Sequence, residues 1–283
     1  MSDGALSYCG EVVRRHDRDR FLTALFAPPD RRESLFALYA FNFELAHARE
    51  AVSEPMMGQI RLQWWRDAIA AIYEARPYRH AVIEPLAAAI RRHGLDRTRL
   101  DRLIDARERD MESDPPADLP ALIDYAAGTA GELVLLALEC FGEAGRSERA
   151  MAAGRAVGIA AALTGLVRAV PFHARARRLY LPRSLLDRHG VRSEDILELR
   201  RPARLPAVAA DIAREAEHRL AEAVLAAGDL PRSLLPALLP GSLARLYLKR
   251  LAKARYDLFD RRVQEAPPMR VWHLWGRSLI GRV

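Results

Sequence analysis

Apolar residues recur at three- and four-residue spacing along most of the chain, which is the pattern of amphipathic helices. Between Arg32 and Glu50 one helical face would carry Leu35, Leu38, Tyr39, Asn42, Phe43 and Ala46. A second segment, Met57–Glu74, follows the Ser-Glu-Pro start signal at residues 53–55. The same spacing predicts further helices near residues 80–93, 97–112, 118–141, 146–170, 193–200, 205–227, 231–239, 241–260 and 269–280.

Gly and Pro separate these segments, and none shows the strict apolar–polar alternation of a half-buried strand. The gaps are short and no low-complexity linker divides the chain. We therefore predict one all-α domain over residues 1–283, with its core at about residues 15–260. The segment that ends before Pro171 is apolar on most faces, which predicts a central helix. Its Gly154, Gly158 and Gly165 would let neighbouring helices approach closely.

Positive charge is concentrated in one part of the chain. The formal net charge is +7, and the 38 residues from Arg149 to Leu186 contain seven arginines and no Asp or Glu. This charge favours an anionic partner. Arg168, at the end of the predicted central helix, would need an anion or hydrogen-bond acceptors. No nucleic-acid-binding motif accompanies the arginines, so we expect no nucleic acid partner.

The sequence also bears on the compartment. Cys9 and Cys140 are isolated thiols outside any CxxC motif, which fits a reducing environment. The first residues lack the apolar run of a secretory signal, and their acids argue against a transit peptide. The uncharged apolar stretch at 156–167 is shorter than the roughly 20 residues that span a bilayer. We predict a cytoplasmic protein that is soluble or peripherally attached to a membrane.

Three stretches together resemble the squalene/phytoene synthase family: FLTALFAPPDRRESLFALYAFNFELAHARE, LIDARERDM and LTGLVRAVPFHARARRLYLP, at residues 21–50, 103–111 and 163–182. The resemblance implies the all-α isoprenoid-synthase fold around a central cavity. In that family two Asp-x-x-x-Asp motifs hold Mg²⁺, which bridges prenyl diphosphates. Carboxylates at i and i+4 lie on one helix face and can share a hard divalent cation.

By this resemblance the aspartate positions fall on Ala46 and Glu50 in the first motif, and on Ala169 and His173 in the second. Glu50 alone could bind a metal, so Mg²⁺ would be a cofactor only if the chain were a prenyltransferase. We otherwise expect no cofactor. Pro171 is expected to break the helix between the two positions of the second motif and so abolish their i, i+4 geometry.

The arginine and tyrosine of the second motif are retained. The resemblance implies an anion-binding side of the site, formed by Arg168, Arg175, Arg178, Tyr180, Asn42 and Gln63. The alternative for the arginines after Pro171 is a solvated loop.

Within the family, residues 41–73 and 167–182 resemble the branch of mitochondrial complex I (NADH:ubiquinone oxidoreductase) assembly factors, which also lacks the aspartates. This implies a non-catalytic protein that binds a complex I subunit or assembly intermediate at the inner-membrane surface, on the matrix side if the source is eukaryotic. A lipid or prenyl ligand could remain in the cavity. The expected absence of a transit peptide suggests a bacterial member. The alternative is a working prenyl-diphosphate transferase that uses Glu50.

Other signals have simpler interpretations. Asp101 and Asp105 form a literal Asp-x-x-x-Asp, but the arginines around them predict a solvated, salt-bridged helix face. The scattered histidines form no metal-binding pair, and Trp64-Trp65 is more typical of core packing than of a prenyl channel. The segment 269–283 carries Trp272, Trp275, Leu279, Arg270, Arg277 and Arg282. It fits a basic interfacial helix on an anionic bilayer and a terminal helix packed on the core equally well.

Overall fold

The computed structural model describes residues 6–49 and 55–280, and every regular element in that part of the chain is helical. The all-α prediction is confirmed. The helices are α1 (Tyr8–His16), α2 (Arg18–Ala24), α3 (Pro29–Ala46), α4 (Pro55–Tyr73), α5 (Ile83–His93), α6 (Arg97–Ala106), α7 (Leu119–Ala126), α8 (Glu132–Glu139), α9 (Glu143–Arg146), α10 (Glu148–Arg168), α11 (Val170–Arg175), α12 (Arg183–His189), α13 (Ser193–Leu197), α14 (Leu205–Ala227), α15 (Leu235–Lys253), α16 (Arg261–Gln264) and α17 (Arg270–Ile280). Short 3₁₀ segments lie at Arg107–Met111 and Arg232–Leu234, and a π-turn at Ala127–Gly131 joins α7 to α8.

The predicted break at Pro240 is wrong, because α15 continues through it. A proline inside a helix costs about 3 kcal/mol through the lost backbone hydrogen bond and the clash of its ring. Leu238, Leu239 and Leu243 flank Pro240 and are all buried in the core. Full burial of each leucine contributes about 1.5–3 kcal/mol, so packing outweighs the local penalty.

Among the helices without a counterpart in the predicted segments are three of seven to nine residues: α1, α2 and α12. The first two, α1 and α2, are started by side-chain caps: Ser7 accepts from the Gly10 N–H, and Asp17 accepts from the Arg20 N–H. The third, α12, ends at Gly190 in the left-handed conformation. Elements of seven to nine residues span too few turns for hydrophobic periodicity to indicate them.

The central position predicted for the segment before Pro171 is confirmed. Along α10, Ala153 and Val157 belong to one hydrophobic cluster with α3, α5 and α8. Leu163 and Val167, farther along the same helix, belong to a second cluster with α12 and α14. The helix therefore connects the two clusters and leads at its C-terminal end into the α10–α11 junction.

Two of the three glycines in α10 are at close contacts. A Cβ on Gly158 would lie 2.5 Å from the Ala130 carbonyl oxygen and from the Gly131 Cα in the π-turn. A Cβ on Gly154 would lie 2.4 Å from a methyl group of Leu138, whereas Gly165 faces open space. Close helix approach is thus confirmed at the first two positions and absent at the third.

Two helical stretches, Leu119–Glu139 and Glu148–Arg168, are long and apolar enough to cross a bilayer. Within the molecule 72% and 61% of their apolar windows are buried, as in the core helices of a soluble fold. We interpret both as core helices.

Candidate functional site

The junction of α10 and α11 carries the second motif. Ala169 lies between the two helices, and the backbone N–H of His173 donates to the Ala169 carbonyl at 2.8 Å. These residues are therefore one helical turn apart, and the prediction that Pro171 abolishes their i, i+4 relation is wrong. Pro171 lies in the first turn of α11, where its missing N–H would have had no helical partner in any case.

His173 occupies a partly buried position against Tyr180, with ring centroids 4.7 Å apart. Its buried Nδ1 has no hydrogen-bond partner within the described part of the chain. Burial lowers the pKa of His173 from its ordinary value of 6.5 to about 4; Arg178 lowers it further and Asp110 opposes the shift. At neutral pH the side chain is therefore an uncharged imidazole.

The lowered pKa predicts a pH dependence of stability. Between pH 6.5 and about pH 4 the folded chain binds fewer protons at His173 than the unfolded chain, so stability rises with pH. We expect the free energy of unfolding to fall as the pH drops through this window. The His173→Gln variant lacks this contribution to the pH dependence of stability. Its free energy of unfolding, measured by urea titration at several pH values, should therefore fall less over the same pH range. Replacing the exposed His218 by Gln serves as the control; an unchanged pH profile in His173→Gln would contradict the assignment.

Asp110 is the centre of a buried hydrogen-bond network beside His173. Its Oδ1 accepts from the hydroxyls of Tyr125 at 2.7 Å and Tyr180 at 2.8 Å. Its Oδ2 accepts from Arg107 at 3.3 Å, and Arg107 also donates to the Asn42 side-chain oxygen at 3.1 Å. We call these five residues the Asp110 network. It joins α3, the 3₁₀ segment after α6, α7 and the loop after α11.

Within the Asp110 network the positive charge of Arg107 is balanced by the negative charge of Asp110. Burial disfavours the charge on Arg107, but Tyr125, Asp110 and Tyr180 together raise its pKa above the ordinary value. Burial, and to a lesser extent Asp110, raise the pKa of Tyr180. Its hydroxyl therefore stays protonated and donates a hydrogen bond to Asp110. Asn42 and Tyr180, two of the predicted anion-binding residues, are therefore brought into one cluster. Both already have protein partners there.

Sequence reasoning missed the role of Asp110. The residue lies at the end of LIDARERDM, a stretch quoted for the resemblance but given no function. Its 3₁₀ segment lacks the helical periodicity that marks a buried face. The available signal was chemical: a chain that buries Arg107 and two tyrosines needs an acceptor between them.

An open cleft of about 620 Å³ lies over the Asp110 network. Asp110, Tyr125 and Tyr180 line it, together with Arg49, Arg109, Arg177, Arg178 and Arg183 and two further acids, Glu112 and Asp114. Among the described residues of the lining, five arginines stand against three acids, an excess of positive charge. The cleft can therefore attract an anionic group.

Arg168 belongs to a different cavity, of about 140 Å³, which Asp19 and Tyr247 also line. Its Nε donates to the Val263 carbonyl at 3.2 Å, and its guanidinium lies 3.5 Å from the centroid of the Tyr247 ring. Burial lowers the pKa of Arg168. The prediction that this arginine finds acceptors is confirmed. Its partners are a carbonyl and an aromatic ring, and it shares no cavity lining with Tyr180.

The remaining predicted positions are dispersed. Arg178 lines the cleft, Arg175 is exposed and lines neither cavity, and the exposed Gln63 donates to Asp67 on its own helix at 2.8 Å. Ala46 is the last residue of α3, and Glu50 lies outside the described residues.

Magnesium prefers oxygen ligands, and the side chains of Ala46, Ala169 and His173 offer none. Across residues 6–49 and 55–280 no group of three or more His, Cys, Asp or Glu side chains is placed to hold a metal ion. The described positions therefore do not fit a magnesium site.

The solvated-face interpretation of Asp101 and Asp105 is confirmed, and core packing is confirmed for one of the two tryptophans. Asp101 pairs with Arg97 at 3.5 Å and Asp105 with Arg66 at 2.8 Å, both on a solvated surface. Trp65 is buried in the core, whereas Trp64 is partly exposed and packs edge-on against it.

Comparison with known proteins identifies the family of the chain. The family model described as squalene/phytoene synthase matches residues 13–269. The NADH dehydrogenase (ubiquinone) complex I assembly factor 6 of Bos taurus is 33% identical over 263 residues, which cover 93% of this chain and 78% of the relative. The human protein of the same name is 31% identical, over 97% of this chain and 82% of its own. A presqualene diphosphate synthase of Sinorhizobium fredii is 29% identical, over 90% and 88%.

Solved structures show the same fold. A dehydrosqualene synthase crystallised with a ligand superposes with a TM-score of 0.83 at 19% identity, covering 96% of this chain and 94% of the other. A squalene synthase from Alicyclobacillus acidocaldarius gives a TM-score of 0.75 at 20% identity, covering 88% and 93%. The isoprenoid-synthase architecture is thus confirmed.

Proposed function

We propose, since this chain belongs to the squalene/phytoene synthase family, that it is a non-catalytic member that assists the assembly of respiratory complex I. The observation that carries the proposal is similarity along nearly the whole chain to proteins named as complex I assembly factors. In cattle, mouse and human this similarity reaches 31–33% identity over at least 93% of the chain.

The chemistry of the site supports the non-catalytic part of the proposal. Ionisation of a prenyl diphosphate needs a cation that neutralises the leaving group. Alanine at positions 46 and 169 and a neutral imidazole at position 173 supply no oxygen ligand for it. The buried acid of the cleft, Asp110, is already engaged by Arg107 and two tyrosines.

The partner in this proposal is a complex I subunit or assembly intermediate, met at the inner-membrane surface by a chain peripherally attached to it. The positively charged cleft over the Asp110 network would take an anionic ligand, such as a lipid or prenyl diphosphate, without a metal bridge. This proposed function requires neither nucleic acid nor a cofactor.

The alternative function is prenyl-diphosphate transfer. It is favoured by the similarity to presqualene diphosphate synthase and by the arginines that line the cleft. It would need Mg²⁺ held by Glu50 and acids that sequence reasoning has not identified.

A purified-protein assay separates the two functions. We expect no release of diphosphate from farnesyl or geranylgeranyl diphosphate with Mg²⁺ above the rate without protein, because the ligands for the bridging metal are missing. Released diphosphate is measured directly and products are identified by mass spectrometry. Robust turnover that is lost in Glu50→Ala, but kept in the surface control Glu84→Ala, would refute the non-catalytic assignment.

A further inference from the structure

A groove of about 540 Å³ lies between α15, α17 and the segment that follows α14. Its charged lining consists of Arg232, Arg245, Lys249, Arg277 and Asp229. Among the described residues it shares no lining with the Asp110 cleft or with the cavity of Arg168. We call it the α15 groove.

One side of α15 forms the floor of the α15 groove. Leu235, Leu238, Arg245 and Lys249 line it, and their spacings of three, seven and four residues place them on one face of the helix. The two leucines are buried, and the other two residues are cations. From Leu235 to Lys249 the helix rises about 21 Å. The floor is therefore a strip with an apolar half and a cationic half.

The end of α14 and the loop after it supply a second wall. Val224, which is 44% exposed, and the partly buried Leu230 both line the groove. Arg232 is exposed and lies in the short 3₁₀ segment just before α15. Because this segment precedes Leu235, Arg232 lies near the apolar end of the floor, and the two cations of α15 lie toward the other end.

The third side of the groove, α17, is fixed to the core. Leu274 is fully buried, His273 hydrogen-bonds to the Ser242 carbonyl at 3.1 Å, and Arg270 pairs with Asp19 at 2.9 Å. The sequence left core packing and an interfacial role open for this segment, and core packing is what this side of the helix shows.

Three cations of the α15 groove have no acidic partner within residues 6–49 and 55–280. Arg232, Arg245 and Lys249 form no salt bridge there, and the buried Nε of Arg245 has no hydrogen-bond acceptor. A buried guanidinium nitrogen without an acceptor is costly. Asp229 is the one acid among the described lining residues, so these three cations alone leave an excess of positive charge. The groove is therefore suited to a ligand that carries anionic groups.

We propose that the α15 groove is the docking surface for an acidic, amphipathic segment of a partner protein. Its carboxylates would pair with the cationic half of the floor and with Arg232, and its apolar side chains would pack against Val224 and Leu230. This inference rests on the proposed function and assigns the contact with a complex I subunit or assembly intermediate to one surface. A helical segment of about 14 residues would match the length of the floor.

The separation of the charges favours a protein segment over a single small anion. Arg232 and Lys249 lie toward opposite ends of a floor about 21 Å long, so one phosphate group contacts one end or the other. The apolar walls and Asp229 disfavour a nucleic acid backbone, which presents phosphates along its whole length. Apolar contacts bordered by complementary charges are the usual composition of protein interfaces.

The lysine content of the chain provides a direct test. The sequence contains two lysines: Lys249 in the groove, and the exposed Lys253 one turn farther along α15, which does not line it. A water-soluble carbodiimide joins a lysine amine to a carboxylate in contact with it. In membranes of the source organism that contain the full, tagged chain, we expect Lys249 to be joined to an Asp or Glu of a complex I subunit or assembly intermediate. Mass spectrometry identifies the joined peptides, and apolar residues should lie three or four positions from that acid.

Substitutions in the groove separate binding from folding. Arg245→Met with Arg232→Gln should lower the yield of the Lys249 adduct on the order of tenfold, because the carboxylates lose their partners. Arg245→Met removes a guanidinium whose buried Nε has no acceptor, so the midpoint of thermal unfolding should not fall. The matched control, Arg15→Gln with Arg79→Gln, removes two exposed arginines outside the groove and should leave the yield unchanged.

The position of the adduct decides the inference. Lys253→Gln should keep the adduct, because this residue does not line the groove. Cross-linking through Lys253 alone, the absence of a protein adduct, or a yield that survives Arg245→Met with Arg232→Gln would overturn the docking surface. An adduct whose acid belongs to a second copy of this chain would overturn the choice of partner.

The docking surface and the proposed function fail separately. In a gene-deletion strain, Arg245→Glu with Lys249→Glu should restore less complex I activity than the wild-type gene at equal protein level, because the reversed charges repel an acidic segment. Full restoration by this variant would overturn the docking surface and leave the assembly function standing. If the deletion itself leaves complex I activity intact, the proposed function fails, and a Lys249 adduct then supports the surface for a different partner.

Discussion

Asp110→Ala should lower the free energy of unfolding by about 3–5 kcal/mol, the cost typical of removing one partner of a buried ion pair. The substitution leaves the guanidinium of Arg107 buried without its carboxylate, and it removes the acceptor of two tyrosine hydroxyls. Each buried polar group without a partner adds a desolvation cost. Asp110→Asn keeps one oxygen acceptor and should cost less.

Urea unfolding followed by circular dichroism measures this effect. The matched control is Asp101→Ala, which removes a carboxylate that pairs with Arg97 on the exposed face of α6. Such surface pairs contribute about 0–1 kcal/mol, so the control should stay within that range. If Asp110→Ala proves no more destabilising than Asp101→Ala, the Asp110 network does not hold α3, α7 and the loop after α11 together.

The long helices were predictable from sequence, whereas the short ones and one proline were not. Segments such as α4, α14 and α17 repeat their apolar pattern over three or more turns, and α3 and α10 are long apolar runs between Pro and Gly signals, so local sequence was sufficient. The caps of α1 and α2 act through single side chains and leave no period. Pro240 was misjudged because the burial of α15, a tertiary effect, outweighs the local cost of proline.

The candidate site was predictable only in part. Arg168 could be placed at the end of a central helix, and its need for acceptors followed from burial. Asp110 meets Tyr125 and Tyr180, which lie 15 and 70 residues away in sequence, so no local pattern marks the cluster. Pro171 was expected to abolish the i, i+4 relation of Ala169 and His173, yet it lies in the first turn of α11, where no N–H is needed from it. The sequence alone does not indicate which distant residues come into contact, nor the exact residue at which a helix begins.

Loss of the gene should sharply reduce inhibitor-sensitive NADH:quinone oxidoreductase activity in membranes of the source organism, while isoprenoid products persist. The expectation follows from the proposed function, in which the chain assists the assembly of complex I and makes no prenyl product. Blue native electrophoresis of the same membranes should show less of the assembled complex. Isoprenoid analysis of the deletion strain provides the internal comparison, because a prenyltransferase would lose its product instead.

Complementation of the deletion strain tests the central claim most directly. The wild-type gene and Glu50→Ala, which removes the one acid left at the four motif positions, should restore NADH:quinone activity equally. Asp110→Ala should restore less, in proportion to the folded protein that accumulates, measured by immunoblotting. The account would be contradicted if deletion left complex I activity intact, or if Glu50→Ala accumulated to wild-type levels and still failed to restore it.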